Sequence, residues 1–155
     1  AHTPQGLRSA LTALRTLMKK EKMPGKLIAV YGCAGLRDAI KRPIMGQIGV
    51  ELADLVVFTA EDPRTENIWS IIRQMKENLS TGHNKILSIP DRQKAIDFAI
   101  QKLAQKGDVV AVFGKGPEKS MCYGNKEILW SDEAAVKRSL TNGRTNQLHS
   151  QKEQS

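Results

Sequence analysis

The sequence predicts an α/β fold, a Rossmann-like three-layer domain with a mainly parallel sheet and a C-terminal β-hairpin at the sheet edge. Two observations predict this class. Short apolar runs rich in β-branched residues alternate with segments whose apolar residues recur every three or four positions, which is the pattern of strand–helix–strand units. The runs are also continuously apolar, as expected of strands that helices cover on both faces.

The first helix and the strands follow from these patterns. Thr3 is a candidate N-cap and Pro4 suits the first helical position, where its missing N–H is not needed. The apolar stripe of this helix is Leu7, Leu11, Leu14 and Met18. The predicted strands are Leu27–Tyr31, Leu55–Thr59, Ile86–Ile89 and Val109–Phe113.

The three connecting helices are predicted from the same spacing. The first begins at Pro43, and its apolar face is Ile44, Ile48 and Leu52. The second carries Ile68, Ile72, Met75 and Leu79. The third begins after Asp91, and its apolar residues are Ala95, Ala99, Ile100 and Leu103.

The pattern changes in the last third of the chain. The segment Met121–Trp130 contains the turn sequence Tyr123-Gly124-Asn125-Lys126, which predicts a β-hairpin. Ser131-Asp132-Glu133 then begins a last helix that is predicted to end near Leu140, with its acidic residues in the positive first turn. Large apolar residues almost disappear after Gly143. The sequence therefore predicts one folded domain over residues 1–142 and a disordered tail over 143–155.

Composition excludes several functional classes. The chain has 155 residues and is 40% hydrophobic, with 24 Lys and Arg against 16 Asp and Glu. The net charge of +8 indicates an anionic partner, but aromatic residues make up only 5% and do not interleave with basic ones, so nucleic-acid binding is not predicted. No apolar run is long enough to span a membrane. The two cysteines, far apart, and three histidines predict no metal site and two reduced thiols in a cytoplasmic protein.

Three loops follow predicted strands at the end of a parallel sheet where ligands usually bind. The first, residues 32–43, combines two glycines with Arg37, Lys41 and Arg42 beside a helix N-terminus. This composition predicts a phosphate or carboxylate site. The alternative is a solvated basic loop. The loop is too long before Pro43 to fit a dinucleotide-binding fingerprint, which disfavours a Rossmann-type nucleotide binder.

The second and third loops also carry charged residues. Glu61-Asp62-Pro63-Arg64 places an arginine where it could bind a carboxylate, although a capped turn explains it equally well. The third loop is Gly114-Lys115-Gly116-Pro117-Glu118-Lys119. A P-loop is absent from the sequence, so no cradle for ATP phosphates is predicted. No Ser/His/Asp triad or paired-cysteine centre is present either, and no catalytic residue is predicted in this chain.

Five motifs in this order resemble the C-terminal domain of the Mur ligases, which are ATP-dependent amino-acid ligases of peptidoglycan precursor synthesis. The likeness is closest to the members that add the third peptide residue, the tripeptide synthetases. It covers roughly residues 1–140. The motifs are AHTP, YGCAGLRDAIKRPIMG, ELADLVVFTAEDPRTEN, GDVVAVFGKGPE and SDEAAV.

The resemblance implies a function and a site. A UDP-linked muramyl peptide would be activated as an acyl phosphate with ATP and Mg²⁺, and a free amino acid would attack it. This domain would bind that amino acid and close over the centre, be inactive alone, and hold neither ATP nor Mg²⁺. By resemblance, the residues of the amino-acid pocket are Arg37, Asp62, Arg64, Gly114 and Glu118. His2, Lys41 and Arg42 would face the nucleotide and phosphates.

The same resemblance implies that the chain continues upstream of Ala1, because AHTP lies at the junction with the central ATPase domain in the family. Some positions depart from the family pattern, which prefers other residues where Gln5, Leu36, Glu61, Asp62 and Pro117 stand. Arg64 resembles the members that add diaminopimelate, while Asp62, beside Pro63, lacks the amide of that motif, so diaminopimelate, lysine or another amino acid all remain open. The alternative function is a degenerate binding or regulatory module without ligase activity.

Overall fold

The computed structural model describes residues 1–153, without the side chains of residues 145–148. Five helices, α1 to α5, lie at Pro4–Lys20, Lys41–Leu52, Ile68–Met75, Arg92–Phe98 and Asp132–Glu153. A π-helical turn at Ala99–Leu103 prolongs α4, and a short 3-10 turn at His83–Lys85 precedes the third strand. Six strands, β1 to β6, lie at Leu27–Tyr31, Leu55–Phe58, Ile86–Ser88, Val109–Val112, Ser120–Tyr123 and Lys126–Leu129.

The predicted parallel sheet is confirmed. Four strands lie in the order β3-β2-β1-β4, and each neighbouring pair is parallel. Every residue of β1 is buried, since this strand is central and helices cover both of its faces. The loops that leave the carboxyl ends of β1, β2 and β4 therefore emerge at one edge of the sheet.

Three layers form because successive side chains of a strand point to opposite faces. Leu27, Ala29 and Tyr31 pack with buried residues of α1, α2 and α3. Ile28 and Val30 pack on the other face with buried residues of α4 and α5. The core therefore lies on both sides of the sheet, and the helices leave its carboxyl edge open.

The first helix begins as its sequence predicts. The Thr3 hydroxyl accepts a hydrogen bond from the Gly6 N–H at 3.0 Å, and Pro4 stands in the first turn. The apolar side chains of Leu7, Leu11 and Met18 are buried against the sheet.

The second and third helices differ in detail from the prediction. Helix α2 begins at Lys41 rather than Pro43, and Ile44 of its predicted apolar face is 49% exposed. Met45, Gly46 and Gly49 are buried instead. Glycine is favoured there because a Cβ on Gly46 would lie 1.7 Å from the Met75 carbonyl oxygen. Helix α3 ends at Met75, before the predicted Leu79.

The C-terminal part also shows two differences. Strands β5 and β6 form a separate antiparallel pair, joined to the loop after β2 by a bridge between Arg64 and Tyr123. Helix α5 continues through residues 143–153, where the sequence predicts a disordered tail. No proline interrupts this segment, so its helical backbone hydrogen bonds can continue. Gln154 and Ser155 lie outside the described residues, and the domain boundary at 142 stays a prediction.

Candidate functional site

The three predicted loops meet in one cleft of about 440 Å³. Its charged and polar character is clear from its lining residues, which are His2, Ala34, Arg37, Asp38, Lys41, Glu61, Asp62, Arg64 and Glu118. Six of the eight sequence-predicted site residues are among them. Gly114 and Arg42 are the two that do not line the cleft.

The first and second loops are held together through their backbones. The Gly35 N–H donates to the Asp62 carbonyl oxygen at 2.9 Å, and the Arg64 guanidinium donates to the Gly35 carbonyl oxygen at 2.8 Å. A Cβ on Gly35 would lie only 1.9 Å from the Pro63 carbonyl oxygen. Glycine at this position therefore allows the two loops to touch.

The second loop has a strained conformation that the hairpin supports. Asp62 and Arg64, on either side of Pro63, have φ angles of +42° and +53°, a region that residues with a Cβ enter at a cost. The Arg64 N–H donates to the Cys122 carbonyl oxygen at 3.2 Å, and the Gly124 N–H donates to the Arg64 carbonyl oxygen at 2.8 Å. Such strain persists only where surrounding contacts fix the backbone, and it is common at functional sites.

Lys115 of the third loop lies beneath the cleft and is 1% exposed. Its Nζ lies 2.8 and 2.9 Å from the two carboxylate oxygens of Asp62 and 2.7 Å from Oε2 of Glu118. The Cys122 N–H also donates to Asp62 Oδ1 at 2.8 Å. Burial opposes the charge of Asp62, but these hydrogen bonds outweigh it and lower the pKa of its carboxyl group.

Glu61 and His2 form a second side-chain contact in the cleft. Glu61 is buried, and its Oε1 lies 2.9 Å from Nδ1 of His2. The other imidazole nitrogen of His2, Nε2, lies 3.4 Å from Oε1 of Glu118. Burial raises the pKa of the Glu61 carboxyl group, although the hydrogen bond with His2 partly offsets this effect. Lys41 donates from Nζ to the His2 carbonyl oxygen at 2.8 Å.

Gly114 contributes space rather than a side chain. Its φ angle is +117°, and a Cβ there would lie 2.4 Å from Oε2 of Glu61. Gly114 thus allows the Glu61 carboxylate to lie under the third loop, next to the cleft. Arg37 is exposed, lines the cleft and has no hydrogen bond or ion pair with the described part of the chain.

Comparison with known proteins identifies the family of this chain. Residues 1–116 match the family model described as Mur ligase, glutamate ligase domain. The chain belongs to the Mur ligase family. It corresponds to the C-terminal domain of these enzymes, as the five sequence motifs predict.

The related proteins with similar sequences are Mur ligases that carry the same name. A UDP-N-acetylmuramoyl-L-alanyl-D-glutamate–2,6-diaminopimelate ligase from Geobacillus kaustophilus is 42% identical over 137 residues, which is 88% of this chain and 27% of that relative. The ligase of the same name from Clostridium tetani is 43% identical over the same shares. A solved structure of such a ligase superposes with a TM-score of 0.83 at 33% identity, over 93% of this chain and 28% of that one. The chain thus spans little more than a quarter of these relatives.

Arg42 has a different place in this Mur ligase domain from the one predicted. Its guanidinium is buried and donates to the Gln74 side chain at 2.7 Å and to the Ala34 carbonyl oxygen at 2.9 Å. It also forms an ion pair with Glu66, whose carboxylate accepts the Leu36 N–H. Arg42 therefore holds the first loop against α3 and does not line the cleft.

Sequence reasoning missed two residues that take part in the charged contacts at this cleft. The sequence places Lys115 among the cations of the loops and Glu61 in the second loop, but it assigns neither residue a role in the pocket. Their partners are Asp62 and His2, which lie 53 and 59 residues away along the chain. Charge alternation in the short motifs was the only available signal, and it does not indicate which side chains become buried.

Within residues 1–153, no three His, Cys, Asp or Glu side chains are grouped so that they could hold a metal ion. In that same part of the chain, no helix has the length and apolar character needed to cross a membrane.

Proposed function

We propose that this chain is the amino-acid-binding domain of an ATP-dependent ligase that extends a UDP-linked muramyl peptide in the cytoplasm. The observation that carries the proposal is the cleft that Arg37, Arg64 and Glu118 line together. These residues offer guanidinium groups for a carboxylate and a carboxylate for an ammonium group. A free amino acid presents both of these groups.

The proposed roles follow from which atoms remain available. The Arg64 guanidinium bonds only to main-chain carbonyl oxygens of Gly35 and Asp62 within the described residues, and Arg37 is exposed at the rim, so both can receive a carboxylate. Glu118 is bound to Lys115 through Oε2, which leaves Oε1 for the incoming ammonium in place of His2.

His2 and Lys41 are proposed to face the nucleotide and phosphate side. Both lie at the rim of the cleft formed by the N-terminal segment and the start of α2, and Lys41 holds the His2 carbonyl oxygen. We propose no such role for Arg42, because its side chain is buried and paired.

The amino acid is proposed to carry a second, distal carboxylate, as 2,6-diaminopimelate does. The relatives are named as diaminopimelate ligases, and Arg64 has no carboxylate partner among the residues described. Asp62 does not argue for a basic side chain, because Lys115 already neutralises it.

The reaction itself requires more than this chain. We propose that domains upstream supply ATP, Mg²⁺ and the muramyl peptide, since the chain spans only 27% of the length of the related ligases. This domain would close over an acyl phosphate and exclude water while the amino group attacks. The isolated chain is then expected to bind the amino acid without ligating it.

Ligation by the full-length gene product tests the proposal. The protein is incubated with ATP, Mg²⁺, UDP-muramoyl-L-alanyl-D-glutamate and, in turn, diaminopimelate, lysine, ornithine or alanine, and the tripeptide product is quantified. Product with diaminopimelate, dependent on ATP, is the expected result. Saturable diaminopimelate binding without any ligation would instead support the second candidate, a degenerate binding or regulatory module.

One structural observation favours that second candidate enough to retain it. The carboxylates of Asp62 and Glu118 are already paired with Lys115. The imidazole of His2 contacts both Glu61 and Glu118. Internal pairing of these charges is what a domain that no longer takes part in ligation would show. Absence of both ligation and amino-acid binding would reject both candidates.

A further inference from the structure

We propose that Lys115 determines which amino acid the cleft accepts: by neutralising Asp62 and Glu118 from below, it makes the cleft prefer a side chain that ends in a carboxylate. This inference rests on the proposed function, because it concerns the selectivity of the same cleft. Lys115 does not line the cleft, so it would act through the two carboxylates that it holds rather than through contact with the ligand.

The geometry shows that Lys115 is committed to these two partners. Its ammonium group lies 2.8 and 2.9 Å from the oxygens of Asp62 and 2.7 Å from Glu118. These contacts match the three N–H donors that an ammonium group has. The side chain is 1% exposed, so water does not screen the interaction as it would at the surface.

The ion pair between Lys115 and Asp62 decides whether the Arg64 guanidinium is available to a ligand. Asp62 and Arg64 are two residues apart, yet their side chains do not pair: Asp62 accepts from Lys115 and from the Cys122 N–H, while Arg64 donates to carbonyl oxygens. Without Lys115, the Arg64 guanidinium would be the nearest available counter-ion for Asp62. Lys115 thus leaves the positive charge of Arg64 unneutralised and available to a ligand.

The number of positive and negative side chains at the cleft also supports a role for Lys115 in selectivity. Its lining contains four carboxylates and three permanently cationic side chains, in addition to His2. The fourth cation, Lys115 below, makes the balance even. Removing it would leave an excess of negative charge that favours a side chain ending in an ammonium group. Diaminopimelate and lysine are a suitable pair of probes, because lysine is diaminopimelate without the distal carboxylate.

The test measures the ratio of dissociation constants for lysine and diaminopimelate in the full-length gene product, by titration calorimetry or NMR. The unsubstituted chain is expected to bind diaminopimelate about tenfold or more tightly than lysine, and Lys115→Met to lower this ratio by about tenfold, the scale of one lost charge a few ångströms away. Lys119→Met is the matched control, because it removes an exposed lysine that does not line the cleft. It should leave the ratio unchanged.

A second variant separates selectivity from folding. Asp62→Asn combined with Lys115→Met removes one carboxylate together with its counter-ion, so it should restore folding and most of the preference for diaminopimelate. An unchanged ratio in Lys115→Met, or no recovery in the folded double variant, overturns the role of Lys115 while the proposed function stands. If the unsubstituted full-length gene product neither binds nor ligates either amino acid, the proposed function itself fails.

Discussion

Gly35 and Pro63 lie so close that a Cβ on Gly35 would be 1.9 Å from the Pro63 carbonyl oxygen. This contact joins the loop after β1 to the loop after β2, and the Gly35 N–H donates to Asp62 in the same place. The relative position of Arg37 and Arg64, which we propose to bind the ligand, therefore depends on a residue without a side chain.

Gly35→Ala is expected to push these loops apart. Overpacking of this kind typically costs about 1–3 kcal/mol, and denaturant unfolding of the 155-residue chain measures it. Amino-acid binding should weaken as well, because both arginines move.

The control is Gly143→Ala in α5, where a Cβ would make ordinary contact with Gln101 at 3.4 Å. That substitution should preserve stability or increase it, because alanine favours a helix by about 1 kcal/mol over glycine. Equal stability of Gly35→Ala and the unsubstituted chain would refute the tight contact.

The buried ion pair between Arg92 and Asp132 should be essential for stability. Arg92 donates from Nε and Nη2 to the two carboxylate oxygens at 2.8 Å, and from Nη1 to the Ala60 carbonyl oxygen at 2.9 Å. Asp132→Asn leaves a buried cation partly unpaired, which costs about 3–5 kcal/mol when one partner of a buried pair is removed. Thermal and denaturant unfolding measure this loss.

The exposed pair between Glu133 and Lys137 is the control for Asp132→Asn, since it lies on the same helix. Glu133→Gln should cause no measurable change in unfolding, because exposed pairs contribute little. A loss as large as that of Asp132→Asn would show that charge on α5, rather than burial, accounts for the effect.

Glu61 should make stability depend on pH in one direction. Burial raises the pKa of its carboxyl group in the folded chain, so the folded state holds the proton more tightly than the unfolded state. The stability that this proton provides is complete below the ordinary pKa of a glutamate and is lost as pH rises through the raised value. Glu61→Gln removes this titration.

The measurement is the free energy of unfolding of Glu61→Gln relative to the unsubstituted chain between pH 4 and pH 7. We expect the free energy of unfolding of the variant to increase relative to that of the unsubstituted chain as pH rises through this window. Glu127→Gln, on the exposed strand β6, is the control and should show no such trend. A difference that moves in the opposite direction would mean that His2 and the other cations outweigh burial.

Much of the fold could be predicted because its strands are apolar on both faces and its helices have clear beginnings. Leu27–Tyr31 contains no polar residue to place outside the core, and Thr3 with Pro4 is a local signal that needs no tertiary information. The apolar face of α2 was predicted less well. Gly46 and Gly49 turn towards the core because their missing side chains let backbone and Tyr31 approach, and apolar periodicity does not detect that.

The sequence predicts which loops form the candidate site, but it does not predict the hydrogen bonds and ion pairs between their side chains. The carboxyl ends of parallel strands bring the three loops together, so Arg37, Asp62, Arg64 and Glu118 could be placed in one cleft. The burial of Arg42 and Lys115 could not be predicted, because basic residues are normally exposed. They are buried only because distant carboxylates, Glu66 and Asp62, neutralise them.

The most direct test of the central claim is the kinetics of Arg64→Ala in the full-length gene product. Loss of a guanidinium that binds the amino acid's carboxylate should raise the KM for diaminopimelate by about tenfold or more, with little change in the KM for ATP. Arg73→Ala, on the exposed side of α3, is the matched control and should change neither constant. Equal increases in both KM values, or an unchanged KM for the amino acid, would contradict the assignment of this cleft as the amino-acid site.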